Sequence, residues 1–348
     1  MIKILVFPCG SEVGLEIHNA LKWSTHIELY GSSTVSNHGK LVYKNYIEGV
    51  PHVDSDDFLS GINLVIEKYK IDFIFPAYDS VIVKLAQFQD TLKCKVIGSP
   101  LETAQICRSK KQTYNFFKGI VEVPKVYESG DSIEQFPVFL KPEVGQGSKG
   151  VFIAYTKDDV LFYLKKDPTL LILEYLPGKE YTIDCFTDRK GALRFVGSRE
   201  RVRISGGISV ATRIVNDNRF EAIAKIINEK LSFRGVWFFQ VKENKDGELS
   251  LLEIAPRVAG SMGLYRNRGI NLALLSVFDA LDKDVEVMQN TFDIFMDRAL
   301  YSRFVLGISY KHVYIDFDDT IVCNGALNPF VMAFLFQVIG QGGMIHLL

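Results

Sequence analysis

Three groups of side chains in this sequence have the types and spacing to act on phosphates. In the first, Lys141 ends an apolar run and Gly145, Gly147, Ser148 and Gly150 follow. Glycine lacks a Cβ, so backbone N–H groups there can approach an oxyanion closely. Ser148 adds a hydroxyl donor, and Lys141 can place a point charge on a phosphate. By itself the segment reads equally as a phosphate-binding loop or as a mobile surface hairpin with a glycine tip. In the second group, Gln240 and Glu253 lie 13 residues apart, near the ends of two apolar runs. In an antiparallel pair that separation lets both side chains converge at one end of a sheet. Carboxylate and amide oxygens are hard ligands suited to Mg²⁺ bridging nucleotide phosphates. Arg257, just downstream, can stabilise charge on a transferring phosphoryl group. One Glu on a strand is usually a solvated or paired surface acid, but the ordered set is hard to explain that way. The third group is Asp316 and Asp318, after the short apolar run Val313–Ile315. Carboxylates at i and i+2 beside a strand end project the same way. One can attack a phosphoryl group and the other can act as general acid/base, with Mg²⁺ between them. The bland alternative is an acidic turn.

The elements that must position these groups follow from the apolar pattern. Ile2–Phe7 is a continuous apolar run, as expected of a strand buried on both faces of a parallel sheet. Gly10 to Gly14 then leads into Leu15, Ile17, Ala20 and Leu21 at helical spacing, the opening of a doubly wound α/β domain. The spacing is GxxxG, not the dinucleotide-binding GxGxxG. Glycines that let the helix pack closely on the strand are therefore favoured over a ligand at that turn. Ile71–Phe75 and Lys95–Ile97 read as further strands, alternating with helices near 57–69 and 80–92. Beyond Pro100, Thr103–Lys118 reads as one amphipathic helix carrying Lys110 and Lys111. Val138–Lys141 and Val151–Tyr155 flank the glycine hairpin, and Leu170–Leu176 is a buried strand. Tyr181–Phe186 and Val236–Val241 alternate, as antiparallel strands covered on one face do. Leu249–Ile254 closes on Ala255-Pro256-Arg257.

Composition narrows the class. The chain has 348 residues, 47% of them hydrophobic, and a formal charge of −1. That length suggests two or three domains with large cores, and the apolar content excludes global disorder. Balanced charge gives no electrostatic case for nucleic acid or an anionic membrane. Five dispersed cysteines without a CxxC pair read as reduced thiols of a cytoplasmic protein. The N-terminus has the shape of a first strand and not of a signal peptide.

Taken in order, six segments make residues 1 to about 300 resemble an ATP-grasp protein of the carbamoyl-phosphate-synthase-like branch. They are Gly10-Ser-Glu-Val-Gly-Leu-Glu-Ile; Phe75-Pro-Ala-Tyr-Asp79 with Gly98-Ser-Pro100; Arg108-Ser-Lys110-Lys-Gln-Thr113; Lys141-Pro with Gly145–Gly150; Glu174-Tyr-Leu-Pro-Gly-Lys-Glu180-Tyr; and Gln240 with Glu253-Ile-Ala-Pro-Arg257. The resemblance implies mixed α/β and α+β architecture. A Rossmann-like pre-ATP-grasp domain at 1–102 precedes a two-subdomain ATP-grasp fold at 103–305, with a mobile lid about 120–176. It implies ATP and Mg²⁺ (or Mn²⁺) as cofactors. Lys110, Lys141, Gly147 and Ser148 would meet the phosphates. Tyr175 and Leu176 would bind the adenine edge, with Glu174 near its exocyclic amine, and Glu180 would bind the ribose. Gln240 and Glu253 would hold the metal, and Arg257 would act at the γ-phosphate and the acyl phosphate. Arg199, Arg201 and Gly207 lie on the stretch facing the acceptor substrate; the two arginines read either as carboxylate ligands or as a plain exposed strand. The implied reaction is ADP-forming joining of a small carboxylate to an amine through an acyl phosphate. One departure stands out. The family pattern ends Glu-x-Asn-Pro-Arg, with the Asn a further metal ligand, whereas this chain has Ala255. A nucleotide-binding protein with weak or no turnover is therefore the alternative.

The last stretch is unusual. No Asp, Glu, Lys or Arg occurs from Thr320 to Leu348. Asp316-x-Asp318-x-Thr320 resembles the first motif of haloacid-dehalogenase-type phosphohydrolases. Residues 310–348 are expected to be a buried helix and strand from the start of such a domain, without the residues needed to close a phosphatase site. A membrane span is disfavoured, because Pro329 and Gly340, Gly342 and Gly343 interrupt the run and its apolar core is far short of about 20 residues. The same tail is a candidate source of homodimer contacts.

Overall fold

The computed structural model describes residues 1–145, 147, 149–300 and 310–348. Ser148, one of the phosphate candidates, lies outside the described residues, as do positions 301–305 of the expected second domain. Residues 1–299 form one compact unit and 300–348 a second.

The first unit opens with β1 (Ile2–Phe7), α1 (Glu12–Leu21), β2 (Ile27–Ser33), β3 (Asn45–Glu48), α2 (Phe58–Tyr69), β4 (Phe73–Pro76), α3 (Asp79–Gln87) and β5 (Lys95–Val96). All five strands are parallel, in the order β3-β2-β1-β4-β5. Ile4, Leu5 and Val6 of central β1 are fully buried, which explains the unbroken apolar run. A Cβ on Gly14 would lie 2.5 Å from the Cys9 carbonyl oxygen. Gly14 thus lets α1 close tightly on the turn that follows β1, and no ligand is needed to account for the glycine. Two strands, β2 and β3, go beyond the sequence expectation. The buried end of β2 is Tyr30-Gly31-Ser32-Ser33, in which three small residues follow the tyrosine and leave no apolar run to read.

The chain continues through α4 (Leu101–Arg108) and α5 (Lys110–Phe117), not through one helix. Ser109 separates them with φ −103° and ψ 117°, and its hydroxyl caps α5 by accepting from the Gln112 N–H at 3.1 Å. Serine favours such a cap over a helix interior. A four-stranded antiparallel sheet follows, in the order β6 (Val126–Tyr127), β9 (Leu170–Glu174), β7 (Val138–Pro142), β8 (Phe152–Ala154), with α6 (Lys157–Lys166) on the connection from β8 to β9. The remainder is β10 (Glu180–Thr187), β11 (Leu193–Ser205), β12 (Ile208–Ile214), α7 (Asn218–Lys230), β13 (Gly235–Glu243), β14 (Leu249–Ala255), α8 (Gly263–Arg266), α9 (Leu272–Ala280) and β15 (Phe295–Asp297). Its strands form a six-stranded antiparallel sheet, β14-β13-β10-β11-β12-β15. One hydrophobic cluster contains Ile4 and Phe75 of the parallel sheet together with Phe238 and Val277. The two expected domains therefore share a core inside one unit.

The second unit contains β16 (His312–Ile315), β17 (Val322–Cys323), β18 (Ala326–Leu327), α10 (Pro329–Gly340) and β19 (Met344–Leu347), with β16 and β19 parallel. The expected helix and strand are present, but they are not buried. Only Leu335 and Val338 of α10 are buried, whereas Phe330 is 85% exposed. One helix on a two-stranded sheet covers a single face, and this helix is apolar all round. Among the described residues, no helix is long and apolar enough to cross a membrane.

Candidate active site

One row across the six-stranded sheet carries the site. Glu253 pairs with Gln240, Gln240 with Thr182, and Thr182 with Arg199. Directly opposed residues share a face, so four polar side chains stand side by side. The expected convergence of Gln240 and Glu253 is thus a direct cross-strand pair. Two positions along their strands, Arg201 and Glu180 return to the same face. Arg201 Nη1 donates to Glu180 and, at 2.8 Å, to Gln240 Oε1, while Nη2 donates to the Gly207 carbonyl at 2.7 Å.

A cavity of about 250 Å³ opens between the four- and six-stranded sheets. Lys141 and Leu173 line one side, Glu180, Gln240 and Glu253 the other, and Glu174, Tyr175 and Leu176 the connection between the sheets. Gly147 also lines it. Lys110 enters because the break at Ser109 starts α5 there. Its N–H donates to the Glu143 carbonyl at 3.1 Å and its ammonium to the Gly145 carbonyl at 3.3 Å. Lys141 is buried, and its Nζ donates to Tyr114 Oη at 2.6 Å. Tyr114 Oη in turn donates to the Leu252 carbonyl at 2.8 Å. Burial, reinforced by the charge of Lys110, pushes the Lys141 ammonium down to about 7. Burial also lowers Lys110, against the opposing pull of Glu253.

A second cavity, of about 320 Å³, shares Gly147, Arg201, Gly207, Gln240 and Glu253 with the first. It adds Thr182, Arg199 and Arg257, and the first residues of α1. Arg257 donates to both carboxylate oxygens of Asp79, at 2.6 and 3.2 Å, and lies over the Phe238 ring at 5.1 Å. Burial pushes the Asp79 carboxyl up, but Arg257, with the charges of Arg108 and Lys110, outweighs it and holds the group below its ordinary range. Arg199 is not on an exposed strand. Its side chain is 1% exposed and grips Asp184 through Nε at 2.7 Å and Nη2 at 3.1 Å. Sequence reasoning missed Thr182, Tyr114 and the role of Asp79. Register from Gln240 locates Thr182, but no local pattern links Tyr114 to Lys141 or Asp79 to Arg257.

The donor set suits a hard cation in part. The Glu253 carboxylate has no hydrogen-bond or ion-pair partner among the described residues, and Gln240 Oε1 stands opposite it in register. Ala255 supplies no ligand; its methyl packs into the apolar cluster around Phe238 and Val258. Among the described residues, no group of three or more His, Cys, Asp or Glu side chains is placed to hold a metal. In the second unit, Asp316 and Asp318 are exposed, and the Phe317 N–H donates to Asp316 Oδ1 at 2.8 Å.

Residues 166–298 match a family model described as ATP-grasp in the biosynthetic pathway with Ter operon. A D-alanine–D-alanine ligase of Thermotoga petrophila is 32% identical over 110 residues, which are 29% of this chain and 36% of the ligase. A carbamoyl phosphate synthase large chain of Clostridium botulinum is 24% identical over 251 residues, 65% of this chain and 23% of the synthase. The chain thus spans about a third or less of the length of these relatives. Among solved structures, the biotin carboxylase domain of Hydrogenobacter thermophilus 2-oxoglutarate carboxylase, in complex with MgADP, ADP and bicarbonate, superposes with a TM-score of 0.69. That match is 15% identical and covers 82% of this chain and 71% of the other. The first unit shares the fold of that biotin carboxylase domain, and residues 166–298 carry the sequence similarity to the ATP-grasp family.

Proposed function

We propose that this chain is an ATP-dependent, ADP-forming ligase that joins a carboxylate to an amine. The observation that carries the reading is the direct pair Gln240–Glu253 at the junction of two cavities, one lined by Lys110 and Lys141 and the other by Arg257. ATP would lie in the first cavity, with its adenine edge on Tyr175 and Leu176 beside Glu174, and its ribose on Glu180. Lys110 and Lys141 would meet the phosphates, with backbone groups around Gly147. Mg²⁺ held by Gln240 and Glu253 would neutralise charge on the phosphates when bound. A carboxylate oxygen attacks the γ-phosphorus, the bond to the β-bridging oxygen breaks, and ADP leaves. The amine then attacks the acyl carbon and loses a proton, and inorganic phosphate departs. Arg257, fixed by Asp79, faces the charge that develops in both steps, so the protein contributes position and electrostatics more than covalent chemistry.

The test is an ADP-release screen over small carboxylates and amines with the full chain, repeated with Glu253→Gln. Release that is lost in the variant supports the assignment, and full turnover in Glu253→Gln refutes it. Ala255 favours a second reading, a nucleotide-binding protein without turnover. It predicts ATP binding by calorimetry and no ADP release with any acceptor.

A further inference from the structure

We propose that the exposed side of α10 is an interface for a second copy of this chain, with α10 docking on α10 about a two-fold axis. The contact involves the second unit alone, and nothing in it depends on nucleotide binding.

α10 carries a single polar side chain, Gln337. On its inner side Leu335 packs in a small cluster with Ile315 and Ile321. Away from that cluster stand Phe330 and Phe334 on one flank, 85 and 38% exposed, and Phe336 and Ile339 on the other, 68 and 59% exposed. Ala333, Gln337 and Gly340, spaced four and three residues, are exposed and form the ridge between the flanks. At about 200 Å² per phenylalanine, the three rings expose roughly 400 Å² in one copy and 800 Å² in two. Ile339, together with Leu327 just before the helix, brings a pair of copies toward the roughly 1,200 Å² at which specific interfaces begin. An apolar patch of several hundred Å² is more than scattered surface residues supply, and it marks a contact.

Charge and hydrogen bonding say what fits it. Every Lys, Arg, Asp and Glu of the chain precedes residue 320. A charged group brought onto this face would lose its water and find no counter-charge. The matching surface must therefore be uncharged as well. No other stretch of this chain runs half as far without Lys, Arg, Asp or Glu, so the surface of this chain that answers is the same face of another copy. Gln337 points to the same occupant. Its amide is donor and acceptor at once, and across a two-fold it meets an identical amide that satisfies both roles. One such polar residue in an apolar seam also sets the register. A lipid surface fits less well. Helices that lie on membranes hold anionic headgroups with Lys and Arg, and this one has neither. At 12 residues, or about 18 Å, it is also too short to cross a bilayer.

The experiment is sedimentation equilibrium of the full chain over a range of micromolar concentrations, with circular dichroism as the check on folding. The expected limiting mass is twice the chain's 39.3 kDa. Gln337→Glu and Gln337→Lys each oppose like charges across the two-fold, so each should weaken the dimer roughly 100-fold. An equal mixture of the two variants should recover pairing as a mixed dimer, within roughly ten-fold of the wild-type affinity. Phe336→Ser should weaken association and leave the fold intact, because that ring is exposed. A wild-type chain that stays monomeric overturns the proposal. So does a dimer that survives all three single variants, since its contact then lies elsewhere. Failure of the mixed variants to pair excludes α10 on α10. A monomer that sediments with phosphatidylcholine vesicles assigns the face to lipid and overturns the proposal as well.

Discussion

Lys141 provides a quantitative test of the proposal that the first cavity binds a nucleotide. Its ammonium is buried beneath Tyr114 and held down to about 7, chiefly by desolvation. A phosphate placed beside it reverses that penalty, so the bound complex should hold the proton that the free protein has largely released. If binding restores the ordinary value of about 10.4, ATP affinity depends on the charged fraction of the free lysine. That fraction is about one half at pH 7 and about 3% at pH 8.5. The dissociation constant for MgATP should therefore rise roughly 15-fold between those pH values, about 1.6 kcal/mol. Calorimetry in buffers of different ionisation enthalpy should show uptake of nearly one proton per ATP at pH 8.5. Lys141→Gln should bind more weakly at pH 7 and lose the pH dependence. The sign for folding follows from the same depression. Between pH 7 and about 10 the unfolded chain binds the lysine proton and the folded chain does not, so this group makes stability rise with pH across that window. A flat affinity from pH 7 to 8.5 with no proton uptake would refute the reasoning, because the lysine would then already be charged or lie away from the phosphates.

Two further outcomes follow from the packing. Asp79→Asn leaves Arg257 buried without its counter-charge, so turnover should fall roughly 10–100-fold and stability by about 3 kcal/mol, while the dissociation constant for ATP stays within about three-fold. Steady-state ADP release and calorimetry check this, and unchanged turnover would remove Asp79 as the residue that positions Arg257. Gly14→Ala drives a methyl against the Cys9 carbonyl. The clash should outweigh the better helix propensity of alanine, for a net loss of roughly 1–2 kcal/mol and a melting temperature lower by a few degrees. An equal or higher melting temperature would show that α1 can move away from the turn that follows β1.

Part of the candidate site's arrangement was legible in the sequence where strands carry it. The 13-residue spacing of Gln240 and Glu253 allows them to converge, but their direct pairing needs the register shift between Gln240 and Val241, without which Leu252 would stand opposite Gln240. The observed register of β10 and β11 adds Thr182 and Arg199 to the row. What stayed hidden depends on pairs far apart in the chain. Tyr114 lies 27 residues from Lys141, and Asp79 lies 178 from Arg257. Each pair joins different elements, so periodicity within either element is blind to it. The break at Ser109 escaped for another reason. Both halves are amphipathic, and only the cap on Gln112 and the contact of Ser109 with Glu143 divide them. That division brings Lys110 to the glycine hairpin, so a local departure from regular helix does the positioning. The uncharged tail shows the opposite failure. Its apolar content foretold burial, yet a helix is buried only if something lies on each of its faces. Composition reports what a segment would gain by being covered. Topology decides whether it is covered, and the parallel pair of β16 and β19 covers one side of α10 alone.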